Sequence, residues 1–402
     1  MKQQQFDVVV VGGAGHVGAP LSIVLASRGV RTLIHDINEE SLRILQSGRV
    51  PFIEDGAEAL LRDALSRDLL GFSSSPSCVA GVPVVILTIG TPIDEFQNPS
   101  VSLLTQCVDS LLPYLTDDQL VVLRSTVAPG VTEYLATYLQ EKGKQPLIAF
   151  CPERVVQGKG VEEIRTLPQL VSGTTRAAYE RAAQLFAKIA PEVVELSTKE
   201  AEYAKLISNA YRYIQFAATN QFYMMVEADG VDYNSLLAKM KHKYDRMASF
   251  PGAGFAAGPC LMKDTMQLAS FRKQDFMLGQ VAMTINEGLP DFMVSRLMRR
   301  TAIQGRTAGI LGMAFKAESD DIRDSLSYKL KKILEFRGAR VCCSDEFVRD
   351  ETFVSPDELL AKSDIVLVGV PHAAYRAIKP APHHIVVDVW GVLASTAPQT
   401  TA

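Results

Sequence analysis

The sequence predicts an α/β protein with an N-terminal Rossmann-like domain, a central helical region and a smaller C-terminal Rossmann-like domain. Three observations carry this. Short runs rich in Val, Ile and Leu alternate with helix-like segments at both ends of the chain, as strands of a parallel sheet buried on both faces do. Between about Lys199 and Arg300, β-type runs are scarce and apolar residues fall at helical spacing. A length of 402 residues exceeds the usual size of one hydrophobic core, so two or three domains are expected. The boundaries read as 1-198, 199-300 and 301-402.

In the first domain the strand runs are 6-11 (FDVVVV), 31-36 (RTLIHD), 83-89 (PVVILTI), 120-124 (LVVLR) and 147-150 (LIAF). Near the other end, 307-312 (TAGILG), 340-343 (RVCC), 364-370 (DIVLVGV) and 384-389 (HIVVDV) repeat the rhythm. The middle contains AEYAKLISNAYRYIQFAATNQFYMMV, a helical pattern, and then SFPGAGFAAGPC from Ser249 to Cys260. So much Gly and Pro makes the second stretch a loop, and one whose backbone can approach a ligand closely. The apolar faces of the central helices exceed what one protomer can cover, so a homodimer built on them is expected.

Composition narrows the function classes. Hydrophobic residues make up 47% and charged residues 21%, the balance of a globular chain. Formal charge is only -4 and the basic residues are dispersed, so no positive field for a nucleic acid exists. The six cysteines show no CxxC spacing and read as thiols of a reducing compartment; a metal centre is not expected. Three glutamines pass straight into the first strand run without the pattern of a signal peptide, and no stretch approaches the roughly 20 apolar residues of a spanning helix. A soluble, cytoplasmic protein without membrane contact is the expectation.

Six motifs carry chemistry. Gly13-Ala14-Gly15-His16-Val17-Gly18 follows the first strand run and opens a helical pattern, and Asp36 closes the next strand. Such glycines allow a tight turn and close approach of a pyrophosphate at a helix N-terminus, while the acid accepts hydrogen bonds from ribose hydroxyls. Thr88-Ile89-Gly90-Thr91-Pro92 and Arg124-Ser125-Thr126-Val127-Ala128-Pro129-Gly130 end two further strands, where ligands of such sheets bind. Cys151-Pro152-Glu153-Arg154 ends another. Lys205 and Asn209 stand four apart on one helix face; spacing alone also fits a snorkelling lysine. Gly258-Pro259-Cys260-Leu261-Met262-Lys263-Asp264 ends the central loop. A free cysteine is commonly an inert buried hydrophobe, but this one precedes a helix, whose N-terminus favours a thiolate.

With these motifs in this order, nearly the whole chain resembles the nucleotide-sugar 6-dehydrogenases, the family of UDP-glucose and UDP-N-acetylhexosamine dehydrogenases. The match continues through Asn286-Glu287, Leu311-Gly312-Met313-Ala314-Phe315-Lys316 and Asp320-Asp321-Ile322-Arg323-Asp324-Ser325, which look like the family's NE and LGLAFKxxxDDxRxS segments. The resemblance implies NAD as cofactor, held by Gly13, Gly15, His16, Val17, Gly18, Asp36, Thr91, Ser125, Thr126 and Arg323. It implies a reacting centre of Glu153, Lys205, Asn209 and Cys260 with Asp264 beside them. Glu153, Arg154, Lys205, Asn209, Arg246, Phe255, Gly258, Phe315 and Lys316 are the implied contacts to a nucleotide-sugar substrate, and Arg246 is expected to reach a neighbouring protomer.

The implied reaction takes the C6 alcohol to a uronic acid. A water held by Lys205 and Asp264 helps remove the hydroxyl proton, Cys260 captures the aldehyde as a thiohemiacetal that is oxidised to a thioester, and Glu153 activates the hydrolytic water. CPER is the N-acetylhexosamine pattern, whereas GPCLxKD sits nearer the UDP-glucose type; the reading leans to a UDP-N-acetylhexosamine, with UDP-glucose as the alternative. Phe255-Ala256-Ala257-Gly258 replaces a more usual glycine pair, and Val387-Asp388-Val389-Trp390-Gly391-Val392 stands where some UDP-glucose enzymes carry a substrate arginine. Two other readings stay open: a two-electron dehydrogenase of the 3-hydroxyacid type, which has no use for Cys260, and a non-catalytic nucleotide-sugar sensor.

Overall fold

The computed structural model describes residues 5-91 and 101-393 and divides into two compact units, 1-208 and 209-402. Pro92, the last residue of one motif above, lies outside the described residues.

The first unit is built on one sheet. Its strands are β1 (Val8–Val11), β2 (Thr32–His35), β3 (Leu70–Ser73), β4 (Val84–Leu87), β5 (Leu120–Leu123), β6 (Leu147–Phe150), β7 (Gln169–Gly173) and β8 (Val193–Glu195), in the order β3-β2-β1-β4-β5-β6-β7-β8. β1 to β6 run parallel, β7 turns antiparallel to β6, and β8 lies parallel to β7. Strands such as VVVV and LVVL are buried along their whole length because helices cover both faces. One apolar layer gathers Val8, Val10, Leu21, Ile34, Leu61 and Phe186; the other gathers Val9, Val85, Leu104, Val121, Leu135 and Phe150. The order reverses between β1 and β4, and at such a switch point the loops splay apart and leave a crevice at the carboxyl ends.

The five strands expected in this unit are present; β3, β7 and β8 are additions. β3 and β8 form the two edges of the sheet, and Gly71, Ser73 and Glu195 weaken their apolar pattern, since edge strands bury less and need fewer apolar residues.

The second unit holds most of the long helix Thr198–Ala228, the helices Tyr233–Lys241, Leu261–Arg272 and Met277–Arg300, and a parallel sheet of β9 (Thr307–Leu311), β10 (Arg340–Ser344), β11 (Ile365–Val368) and β12 (Ile385–Val387) in the order β10-β9-β11-β12. All four strands match the expected C-terminal runs. Tyr223, Phe255, Leu289, Met293 and Leu297 share one buried core with Ile310, Leu330 and Ile365, so central helices and C-terminal sheet pack as one body. Among the described residues no helix is long and apolar enough to cross a membrane, and no group of three or more His, Cys, Asp or Glu could hold a metal ion.

Candidate active site

In the first unit the glycine turn joins β1 to the helix Gly18–Ser27, and each glycine answers a different constraint. A Cβ on Gly13 would stand 2.6 Å from the Val10 carbonyl oxygen, and one on Gly18 would stand 2.5 Å from the Gly12 oxygen and 2.8 Å from Thr88 Oγ1. These two let strand and helix pack closely. Gly15 is exposed, and a Cβ there would meet only the Gly12 oxygen, at 3.5 Å, so the open side of the turn faces solvent. Half-buried His16 stacks on Phe52 with ring centroids 4.0 Å apart, and Val17 caps the helix. Asp36, just past β2, accepts Ala14 N–H through Oδ2 and Asn38 N–H through Oδ1, both at 3.0 Å. Tight turn, open glycine, helix N-terminus and an acid one strand away fit the pyrophosphate and ribose of a dinucleotide.

The loops after β4 and β5 are tied to that turn. Thr88 Oγ1 donates to the Val11 and Gly12 oxygens at 2.8 and 3.0 Å, Ser125 Oγ donates to the Ile89 oxygen at 2.6 Å, and Thr91 Oγ1 donates to the Thr126 oxygen at 2.5 Å. Thr91 and Ser125 are buried; Thr126 is half-buried beside them in sequence.

Beyond β6 lies a buried ion pair that sequence spacing did not reveal. Arg124, its side chain fully buried, donates Nε and Nη2 to Glu153 Oε2 at 3.0 and 2.5 Å and Nη1 to the Cys151 oxygen and Gln169 Oε1, both at 3.1 Å. Its guanidinium lies 5.1 Å from the centre of the Phe186 ring. Glu153 Oε1 accepts the N–H groups of Arg154 and Val155 at 2.8 and 3.1 Å. Two donors on each carboxylate oxygen fix its plane. Arg154, half-buried, donates Nη2 to the Pro168 oxygen. Lys205 is half-buried on the long helix, and the boundary between the units falls after Ser208.

In the second unit Asn209, one helical turn beyond Lys205, donates Nδ2 to Asp264 Oδ2 at 2.6 Å. Asp264 is fully buried, and its Oδ1 lies 3.3 Å from Lys263 Nζ. Cys260 is exposed and stands directly before the helix Leu261–Arg272, where its carbonyl oxygen accepts the Asp264 N–H at 2.9 Å. Arg323 is gripped by Asp321, with Nε 3.0 Å from each carboxylate oxygen and Nη2 2.6 Å from Oδ2. The hydrogen bonds it donates to Asp321, helped by that carboxylate's charge, outweigh burial and raise its pKa.

The residues expected to contact substrate are scattered in kind. Phe315 packs against Gly258, whose φ is +95° and where a Cβ would fall 2.3 Å from the ring. Lys316 follows it, half-buried. The Phe255 side chain is only 4% exposed and belongs to the apolar core, so it shapes the loop from within. Arg246 is exposed on the 3-10 turn Asp245–Met247.

Comparison with known proteins bears on the whole chain. Three models of the UDP-glucose/GDP-mannose dehydrogenase family match in order: the NAD binding domain over residues 7–190, the central domain over 199–287 and the UDP binding domain over 309–395. A UDP-N-acetyl-D-mannosamine dehydrogenase of Pyrococcus horikoshii is 27% identical over 94% of both chains. An NDP-N-acetyl-D-galactosaminuronic acid dehydrogenase of Ralstonia nicotianae is 24% identical over 96% of both. Among solved structures, that of the Pyrococcus horikoshii UDP-D-ManNAc dehydrogenase superposes with a TM-score of 0.90 at 25% identity, covering 97% of this chain and 96% of that one. A UDP-glucose dehydrogenase of Pyrobaculum islandicum follows at 0.87 and 25%, covering 96% and 95%.

Proposed function

The chain belongs to the UDP-glucose/GDP-mannose dehydrogenase family and is an NAD-dependent nucleotide-sugar dehydrogenase, and from that premise we propose that it oxidises the C6 alcohol of a UDP-N-acetylhexosamine to the uronic acid through a thioester on Cys260. The observation that carries the proposal is the setting of Cys260: exposed, directly before the helix Leu261–Arg272, and four residues from a buried Asp264 held by Asn209. The similar UDP-N-acetyl-D-mannosamine dehydrogenases favour the N-acetylated sugar.

NAD would be held by Gly13, Gly15, Gly18, Asp36, Thr91, Ser125 and Thr126 and would supply the hydride acceptor for both oxidations. The chain's own groups do the rest. Lys205 and Asp264 hold the water that takes the hydroxyl proton, and the Asn209 bond keeps the Asp264 carboxylate oriented for it. The Cys260 thiolate adds to the aldehyde carbon; a thiohemiacetal forms, loses the second hydride and becomes a thioester. One water, whose proton passes to Glu153, then attacks the thioester carbon, the carbon–sulfur bond breaks and the thiolate leaves. Per sugar, two NAD and one water are consumed and two NADH appear. Lys205 and Asn209 stabilise charge on the substrate oxygen as it develops. Arg154, Arg246, Phe315 and Lys316 contact the nucleotide sugar; Phe255 and Gly258 contribute through the loop they shape.

We assign cofactor binding to 1-198, assembly to 199-300 and nucleotide-sugar binding to 301-402. A homodimer is part of the reading, supported by Tyr211, Phe222 and Met225, exposed on one face of the long helix, and by exposed Met277, Leu278 and Val281 on a later one. Six free cysteines support the cytoplasm as its compartment.

The test is turnover of a panel of UDP, GDP and TDP sugars with NAD, following NADH and acid. UDP-N-acetylhexosamine should give two NADH per sugar. One NADH per sugar would make this a two-electron enzyme, and no turnover on any sugar would support the sensor.

A further inference from the structure

The DVWG segment near the C-terminus and the buried Asn220 of the long helix have no place in the reaction above, yet both converge on one residue of the cysteine loop. Gly254 lies six residues before Cys260. Its N–H donates to Asn220 Oδ1 at 2.9 Å and its carbonyl oxygen accepts Asn220 Nδ2 at 3.0 Å, so one side-chain amide brackets the whole residue. Asn220 Nδ2 also donates to Asn286 Oδ1 at 2.9 Å, and Asn286 Nδ2 donates to the Tyr213 oxygen at 3.0 Å. Asn220, Asn286 and Tyr213 are fully buried. Two helices thus spend buried amides on a loop, an arrangement that holds only one loop conformation, because any other strands polar groups in the core.

The opposite side of Gly254 is closed by Trp390. With φ at +153°, Gly254 takes a backbone shape that other residues rarely adopt, and a Cβ there would fall 2.2 to 2.4 Å from three atoms of the indole ring. The ring is itself held. Its Nε1 donates to the Gly369 oxygen at 3.0 Å, and Asp388 accepts the backbone N–H groups of Trp390, Gly391 and Leu393 at 3.0, 2.9 and 2.8 Å. Four residues on, Gly258 repeats the device under Phe315, and its N–H reaches the Asp324 oxygen at 3.3 Å. Gly, Ala and Pro would otherwise leave this loop with many conformations; clamped at both glycines it delivers Cys260 to one place.

The geometry points to Asn220 and Trp390 as positioning residues: together they lock Gly254 and so hold the Cys260 sulfur where it can capture the aldehyde before that intermediate escapes. The inference rests on the thioester reading. It gives the DVWG segment a role on the nucleophile loop in place of a substrate contact.

The experiment uses full-length Trp390→Ala, Asn220→Ala and the conservative Trp390→Phe. Two quantities are read: hydrogen exchange of the segment 250-262 without substrate, and NADH per sugar with hydroxylamine present to trap aldehyde. Both alanine variants should exchange faster in that segment alone, lose at least about tenfold in kcat with NAD affinity within about twofold of the parent, and yield trapped aldehyde with fewer than two NADH per sugar. Trp390→Phe, which keeps a ring over Gly254, should stay near the parent. A general loss of stability lowers the amount of active enzyme and leaves the NADH ratio at two. Should the alanine variants not fold, Asn220→Asp, which keeps the acceptor for Gly254 N–H and loses the donor, is read in the same way. Folded variants that keep two NADH per sugar without trapped aldehyde overturn the lock. If the parent itself makes no thioester, the reading of function fails instead, and unchanged exchange in 250-262 overturns the lock on its own.

Discussion

Arg124→Met tests the ion pair under β5 and β6. The substitution keeps an unbranched apolar stem but removes a guanidinium with no exposed surface, leaving Glu153 Oε2 without both its donors and the Cys151 oxygen and Gln169 Oε1 each without one. The Glu153 side chain is 10% exposed, so solvent replaces little of what is lost. Breaking a buried pair from one side costs about 3–5 kcal/mol. At roughly 2–4 °C per kcal/mol for a domain of this size, the thermal transition of the first unit should fall by about 6–20 °C. Calorimetry is the assay, because the single tryptophan, Trp390, lies in the second unit and reports nothing on the first. Adding Glu153→Gln removes the stranded charge, and the double variant should regain about 2 kcal/mol or more. A loss below about 1 kcal/mol, with the double variant no better than the single, would refute the claim that this pair acts as a buried ion pair. Where the Arg124→Met protein stays folded, Glu153 is no longer held in plane, and covalent sugar should build up on Cys260 in intact-mass spectra.

Three further outcomes are expected. Cys260→Ala should abolish acid formation while NAD still binds with parental affinity by calorimetry; acid released at near the parental rate would reduce the cysteine to packing. NAD should be preferred over NADP by at least about tenfold in kcat/KM, since Asp36 opposes a 2'-phosphate and Ile37, 89% exposed, stands where an arginine would be needed; Asp36→Ser with Ile37→Arg should narrow the ratio, and no change would count against that assignment. Burial alone would raise the Asp345 carboxyl, but hydrogen bonds from His372, Val348, Phe347 and Met313 outweigh it and bring it down to about 2. A carboxyl depressed by folding stabilises above its unfolded value near 3.8 and loses that effect as pH falls toward 2, so Asp345→Asn should cost about 2 kcal/mol at pH 7 and almost nothing near pH 2, by denaturant titration.

The sequence showed the two α/β ends, the helical middle, the glycine turn and the order of the candidate site motifs, because these depend on local pattern. A parallel strand buried on both faces must be apolar throughout, and a pyrophosphate turn must have glycine where the backbone cannot accommodate a Cβ, so both leave a mark within a few residues. The candidate reacting set was legible only as a series of short motifs; on spacing alone Lys205 and Asn209 read as an ordinary helix face with a snorkelling lysine until the whole order was matched. Edge strands such as Val193–Glu195 left no such mark, since three residues carry no periodicity. One signal was present but unread: Asn220 sits three residues after Ala217 and seven after Tyr213, on the buried stripe of an amphipathic helix, where a polar residue needs a partner.

What only the tertiary structure decided are the pairings between residues distant in the chain. Arg124 and Glu153 are 29 positions apart, Asn209 and Asp264 are 55, and the indole that closes over Gly254 comes from Trp390. No local pattern encodes such contacts: a buried arginine, an asparagine in a core or a glycine beneath a ring is specified by the one partner that satisfies its polar atoms or fills its missing Cβ, and that partner is known only once the chain has folded.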